Sequence, residues 1–321
     1  MQTRMTELFG IKYPIICGGM LWLCKPDLCA AVSNAGGLGN LTAANYDSGE
    51  EFLTAVKMTK ALTDKPFGVN ITLMPSFRIS EETYDDYFRV CCEEKVAAIE
   101  VSGKPAEKYI NMVHEAGIKI MHKVGAVRHA LHCEMLGYDA VIAAGFEEGG
   151  HPLNDDVSTM VLTPRIAETV KIQVITTGGI ADGRGLAAAL VLGAHGIMMA
   201  TRFIATQECL VHQNIKNEIL KRQENDTTLI TKSIGMQGRA LKNNLVKQIL
   251  DIEEHGKTEE LWPLLSGQMV KEAWQTGDVN EAAFYVGQSI GLVNDVLSCS
   301  QLLDGMVKQA EQILRDNLQK F

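Results

Sequence analysis

Apolar residues gather into eight short runs in the first two-thirds of the chain, at 14–18, 37–41, 67–71, 97–101, 119–123, 140–144, 173–177 and 196–200. Each run is of strand length and mostly apolar without alternation, as a strand covered on both faces requires. Stretches with helical spacing lie between them, at 27–34, 50–62, 104–116, 127–136 and 186–192. Strands that alternate with helices pair in parallel, because a crossover helix must carry the chain back to the same edge. Eight such units predict closure, so the expected fold class is α/β, a (β/α)8 TIM barrel with a small helical cap domain. An open doubly wound sheet is the alternative. It prefers a dinucleotide loop after the first strand, whereas Gly18-Gly19-Met20 follows here with no G-x-G-x-x-G opening a helix. Gly36-Gly37-Leu38-Gly39 precedes its strand and reads as a helix stop and tight turn.

The pattern changes after Phe203. From 206 onward the chain reads as helices and loops without strand signals, punctuated by Gly235, Gly238, Gly267 and Gly277. Asn225-Asp226-Thr227-Thr228 reads as a turn or N-cap cluster. This predicts a helical cap or substrate domain over about 206–284, set on a barrel made of 1–205 plus about 285–321. The last helical stretch, 300–318, repeats apolar residues at Leu302, Leu303, Met306, Ala310, Ile313 and Leu314, and would return to the barrel wall as its eighth helix.

Composition narrows the function. The 321 residues are 46% hydrophobic and 21% charged, an ordinary globular balance with material for a large core. A net charge of −9 without blocks of Lys or Arg gives no support to nucleic acid or an anionic membrane as a partner. The charged start, Met1-Gln2-Thr3-Arg4-Met5-Thr6-Glu7, lacks the apolar core of a signal peptide, and no apolar run reaches the ~18 residues of a membrane helix. A cytoplasmic protein is expected. The eight cysteines include no Cys-x-x-Cys pair, so reduced and mostly buried thiols are expected. No metal-ligand spacing is present, and no metal is expected.

Active sites of such barrels sit at the C-terminal ends of the strands. Gly178-Gly179 and Ala200-Thr201 follow the seventh and eighth runs, where backbone N–H groups can approach a phosphate. His151, between Gly149-Gly150 and Pro152, reads either as a proton-exchanging residue or as a loop histidine with no catalytic task. Lys123 ends the fifth run. It would meet a cofactor that gains negative charge on reduction, or snorkel from the strand tip. Asn70 suits a heterocycle edge or a strand-end turn. Asp155-Asp156 reads as a carboxylate pair or, better, as the cap of a helix starting near Val157. Glu147-Glu148 reads as a solvated loop pair or a salt-bridge partner for the cap. No Gly-x-Ser-x-Gly nucleophile elbow is present.

Six segments together resemble one family. They are Pro14-Ile15-Ile16-Cys17-Gly18-Gly19-Met20, Ala35-Gly36-Gly37-Leu38-Gly39, Lys65-Pro66-Phe67-Gly68-Val69-Asn70, Gly149-Gly150-His151, Gly178-Gly179-Ile180-Ala181-Asp182-Gly183-Arg184-Gly185 and Thr201-Arg202-Phe203. Over essentially the whole chain they resemble the FMN-dependent nitronate monooxygenase (2-nitropropane dioxygenase) superfamily, which also holds FabK-type enoyl-ACP reductases and a branch of NADH:quinone reductases. His122-Lys123, Val127-Arg128-His129-Ala130, Gly145-Phe146-Glu147, His151-Pro152 and Ser266-Gly267-Gln268 look most like the quinone reductase branch, while Thr3-Arg4-Met5-Thr6-Glu7-Leu8 is equally at home in FabK-type enzymes.

The resemblance implies FMN against Gly18, Gly19 and Met20, with Asn70 and Lys123 near its ring. Its phosphate would rest on Gly178, Gly179 and Thr201. Ala144, Gly149, Gly150 and Ala200 would complete the site, and His151 would stand beside the flavin as the catalytic residue. The implied activity is an FMN-dependent oxidoreductase that uses NAD(P)H as a transient co-substrate and passes electrons to a quinone-like or other conjugated acceptor. Nitronate oxidation with oxygen, enoyl thioester reduction and a non-catalytic flavin-binding role are the alternatives. A small-molecule substrate is the expected partner, with homodimerisation left open. The chain departs from the family pattern at Ala144, where an acid is common, at Ala200, where glycine is usual, and at Leu153-Asn154 after the His-Pro pair.

Overall fold

The expected runs become eight strands in a computed structural model, which describes residues 1–74 and 78–318. They are β1 (Ile15–Cys17), β2 (Gly39–Thr42), β3 (Phe67–Leu73), β4 (Ala98–Gly103), β5 (Lys119–Val124), β6 (Ala140–Ala144), β7 (Gln173–Thr177) and β8 (Gly196–Met199). Each pairs in parallel with its sequence neighbours from β2 to β8, and β8 pairs with β1. The ring closes where Cys17 N–H donates to Leu38 O at 3.0 Å and Leu38 N–H to Ile15 O at 3.0 Å. The fold is therefore a (β/α)8 barrel. β2 starts two residues later than expected because Gly36 takes a left-handed φ of +98° and turns the chain into the strand. The single helix expected over 104–116 is broken. Pro105 holds its predecessor extended, and a 3-10 turn at Glu107–Tyr109 precedes a short helix, Ile110–Glu115.

Apolar side chains fill the barrel axis, among them Ile16, Met121, Ile142, Ile175 and Met198. A first helix, Arg4–Phe9, starts at a reciprocal capping pair, Thr3 and Thr6, and pushes Met5 and Phe9 into the base of this core. The last helix, Cys299–Leu318, lies against the helix Gly183–Val191. Gly183 N–H donates to Gln309 Oε1 at 2.8 Å there, and a Cβ on Gly183 would stand 2.6 Å from that of Gln309.

The segment between the barrel and the last helix differs from its expected all-helical form. It contains a hairpin of β9 (Thr227–Ile230) and β10 (Gly238–Leu241), paired from Thr227 opposite Leu241 to Ile230 opposite Gly238. Asp226 makes the expected turn by accepting from Gln223 N–H at 2.8 Å, but Thr227 and Thr228 enter the strand. The hairpin shares a small core with the helix Asn244–Glu254 through Ile230, Ala240, Val246 and Ile249. The hairpin also touches the barrel directly: Arg239 N–H donates to Gly150 O at 2.7 Å and Gly150 N–H to Arg239 O at 3.3 Å.

All eight cysteines are free thiols, seven of them buried. Among the described residues no helix is long and apolar enough to cross a membrane, and no cluster of side chains could hold a metal ion.

Candidate active site

Two connected cavities open at the C-terminal ends of the strands. The larger has a volume of about 620 Å³ and the smaller about 80 Å³. Gly19, Lys123, Glu148, Gly149 and Ala200 line both. Met20, Asn70, Ala144, Gly150 and His151 line the larger, and Gly18, Gly178, Gly179 and Thr201 the smaller. The residues that the resemblance places around FMN thus all line these two adjoining cavities, whereas Glu147, Asp155 and Asp156 line neither.

The smaller cavity is built from backbone. Gly178 and Gly179 both take left-handed φ values, +101° and +72°, which turn successive peptide groups into a concave arc. Among the described residues no acceptor takes the N–H of Gly178, Gly179 or Thr201. The Thr201 hydroxyl accepts from Gly287 N–H at 2.9 Å, which leaves its own hydrogen free to donate. Unmatched donors around a small space fit a phosphate group. Ala200 has a φ of −125°, so its methyl group meets no backbone conflict.

The floor between the cavities carries charge. Asn70 on β3 stands in register with Glu100 on β4 and donates to Glu100 Oε2 at 2.8 Å. Ser102 donates to the other oxygen, also at 2.8 Å. Lys123 at the end of β5 reaches Glu148, with Nζ 3.3 Å from each carboxylate oxygen. Glu148 is only 7% exposed. Burial pushes its pKa above the ordinary carboxylate range, and the charge of Lys123 opposes that rise. The expectation for Glu147-Glu148 as a solvated pair or a cap partner is corrected: Glu148 is buried against the barrel lysine. Glu147 instead accepts from Thr159 N–H at 2.9 Å and from its hydroxyl at 2.9 Å. It thereby caps the helix Thr159–Ala167, the task expected of Asp155 or Asp156. Asp155 pairs with Arg128 at 2.8 Å instead.

His151 faces the larger cavity. Its Nδ1 lies 2.9 Å from the carbonyl oxygen of Gln237, just before β10. A carbonyl only accepts, so Nδ1 carries the proton and Nε2 presents a lone pair. The ring is open to the cavity, while protein atoms crowd its other sides and push its pKa below the ordinary histidine range. Lys123 lowers it further, and the Gln237 hydrogen bond opposes. The histidine is therefore neutral near pH 7 and is shaped as a proton acceptor. Apolar walls from Leu23, Ile204, Val270, Trp274 and Tyr285 surround the approach.

Sequence reasoning missed Glu100 and the Gln237 carbonyl, and named Glu148 without its partner Lys123. Glu100 leaves a trace, since a lone acid inside an otherwise apolar strand is an uncommon burial. Nothing in the local sequence marks the Gln237 carbonyl.

A family model described as nitronate monooxygenase matches residues 2–309. The chain is 34% identical to a (3aS,4S,5R,7aS)-5-hydroxy-7a-methyl-1-oxo-octahydro-1H-indene-4-carboxyl-CoA dehydrogenase of Rhodococcus jostii, over 97% of this chain and 96% of the relative. It is 31% identical to a probable nitronate monooxygenase of Staphylococcus saprophyticus, over 98% and 99%. Among solved structures, FabK from Thermotoga maritima superposes with a TM-score of 0.91 at 36% identity, covering 100% of both chains.

Proposed function

Because this chain belongs to the nitronate monooxygenase family, we propose that it is an FMN-dependent oxidoreductase that exchanges a hydride and a proton with a carbon activated by a neighbouring carbonyl, as in an acyl or enoyl thioester. The observation that carries this reading is His151, a neutral imidazole whose Nε2 lone pair borders a cavity walled by apolar residues. Such a group removes a proton from an acidified C–H in the oxidising direction. It returns that proton after protonation in the reducing one. FMN, when bound, supplies hydride transfer. Gly178, Gly179 and Thr201 would hold its phosphate, and Asn70 and Lys123 would border its ring. The orphaned backbone donors of the small cavity support this placement. Lys123 would stabilise negative charge that develops on reduction. The apolar walls exclude water from the reacting carbon. A whole-length likeness to an indene-carboxyl-CoA dehydrogenase and to FabK supports the thioester class. A nitronate suits the same histidine, and the likeness to a nitronate monooxygenase supports it as a second reading.

The test is anaerobic mixing of FMN-loaded protein with NADH and with NADPH, followed by crotonyl thioester, benzoquinone or a nitronate. Bleaching of the flavin by a reduced nicotinamide and its recovery with the thioester are expected. His151→Gln should slow the second step by roughly 10²–10⁴-fold while FMN stays bound. A colourless protein that takes up no FMN overturns the cofactor reading. Unchanged turnover of His151→Gln with every acceptor overturns the role of the histidine.

A further inference from the structure

The charge around Lys123 is out of balance. Four carboxylates, Glu100 on β4 and Glu147, Glu148 and the solvent-exposed Asp156 after β6, face two cations, Lys123 on β5 and Arg239 on β10. His151, on the same loop, is neutral, and Thr201 and Gly287 add no charge. Placing a flavin here, as the proposed function requires, adds the negative charge of its phosphate. Its reduction then adds one more.

The buried carboxylate of Glu148 is not equivalent to its neighbours. Glu147 is fixed by Thr159, and Glu100 accepts from Asn70 and Ser102 at 2.8 Å each, so the oxygens of both are already engaged. Among the described residues Glu148 has a single hydrogen-bond partner, and Lys123 Nζ stands 3.3 Å from both of its oxygens. That is beyond the ~2.7–2.9 Å of a tight charge-assisted bond, so neither oxygen is firmly held. Glu148 is also buried and lines both cavities.

We propose that Glu148 takes up one proton when a flavin bound beside Lys123 is reduced, so that the charge of the site stays constant. Hydride from NAD(P)H brings two electrons and one proton to the flavin, NAD(P)+ leaves, and the flavin gains one negative charge. A second proton, from water, forms an O–H bond on the Glu148 carboxylate. The freed Lys123 then faces the reduced cofactor alone. Glu148 is thus a charge-compensating residue, acting on the cofactor through Lys123. Burial raises its affinity for the proton in advance.

The inference rests on the flavin reading, and the experiment separates the two. The reduction potential of the FMN-loaded protein is measured against pH through the neutral range, for the wild type and for Glu148→Gln. Two protons per two electrons give a slope of about 59 mV per pH unit and one proton gives about 30 mV. The wild type is expected at the steeper slope and Glu148→Gln at the shallower. Reduced-minus-oxidised infrared spectra of the wild type should show a new carboxylic-acid carbonyl band that the variant lacks. Equal slopes, or no acid band on reduction of the wild type, overturn the proposal while the flavin reading stands. If Glu148→Gln fails to fold or to hold FMN, the wild-type slope and infrared band decide alone. A wild type that holds no FMN overturns both.

Discussion

At Gly19 one methyl group separates an open cofactor face from a blocked one. A Cβ there would stand 2.5 Å from the Cβ of Asn70, so rotating the Asn70 side chain does not clear it. The Asn70 amide is also tied to Glu100. Gly19→Ala should therefore cost about 1–3 kcal/mol of stability and weaken FMN binding by about tenfold or more. Thermal melts and a fluorescence titration with FMN measure both, and wild-type values in both would remove the claimed close approach. Residues of this kind were readable in advance because glycine pairs after strand-like runs have few other uses. His151 was readable for a similar reason, lying between Gly150 and Pro152. Glu148 was not. Two adjacent acids in a loop look solvated, and only the fold reveals that one of them points at Lys123 while the other caps a helix.

Among the elements, β6, β7 and the helix Val127–Leu136 appear where the hydrophobic pattern puts them, since each is a plain apolar run or stripe bounded by small or polar residues. The hairpin escaped notice because β10 reads Gly-Arg-Ala-Leu, residue types that carry little strand preference. Its pairing is stabilised by long-range partners: the 150 loop on one side and the Asn244–Glu254 helix beneath. The hairpin also orients His151 through the Gln237 carbonyl. A Cβ at Gly238 would meet Tyr285 Cε1 at 2.7 Å and the His151 ring at 3.5 Å. Gly238→Ala should displace the Tyr285 ring, whose centroid lies 5.4 Å from that of His151, and through that contact lower kcat by roughly 10²-fold, with the affinity for FMN unchanged. Steady-state rates beside an FMN titration give the answer, and an equal loss of FMN binding would mean the hairpin supports the whole site rather than the histidine.

For the whole molecule, pH acts through several histidines at once. Burial lowers the pKa of His122, His129, His151 and His195 in the folded state. A depressed folded pKa gives a contribution that is complete above the unfolded value, ~6.5, and is lost as pH falls through the folded one. Glu148, whose folded pKa is raised, works in the opposite sense and cancels part of the loss. Four groups outweigh one, so the melting temperature should fall between about pH 7 and about pH 5. His122→Gln, which removes the most buried of the four side chains, should flatten that slope. Calorimetry at several pH values checks it, and a flat wild-type profile would contradict the burial argument. The barrel itself was legible from eight runs and their spacing. Its floor was not, because Met5 and Phe9 come from a short helix that precedes the first run. That floor has a consequence for traffic. A barrel stoppered at its base has one doorway, so whatever enters the mouth must leave by the mouth, and a lingering product bars the next visitor.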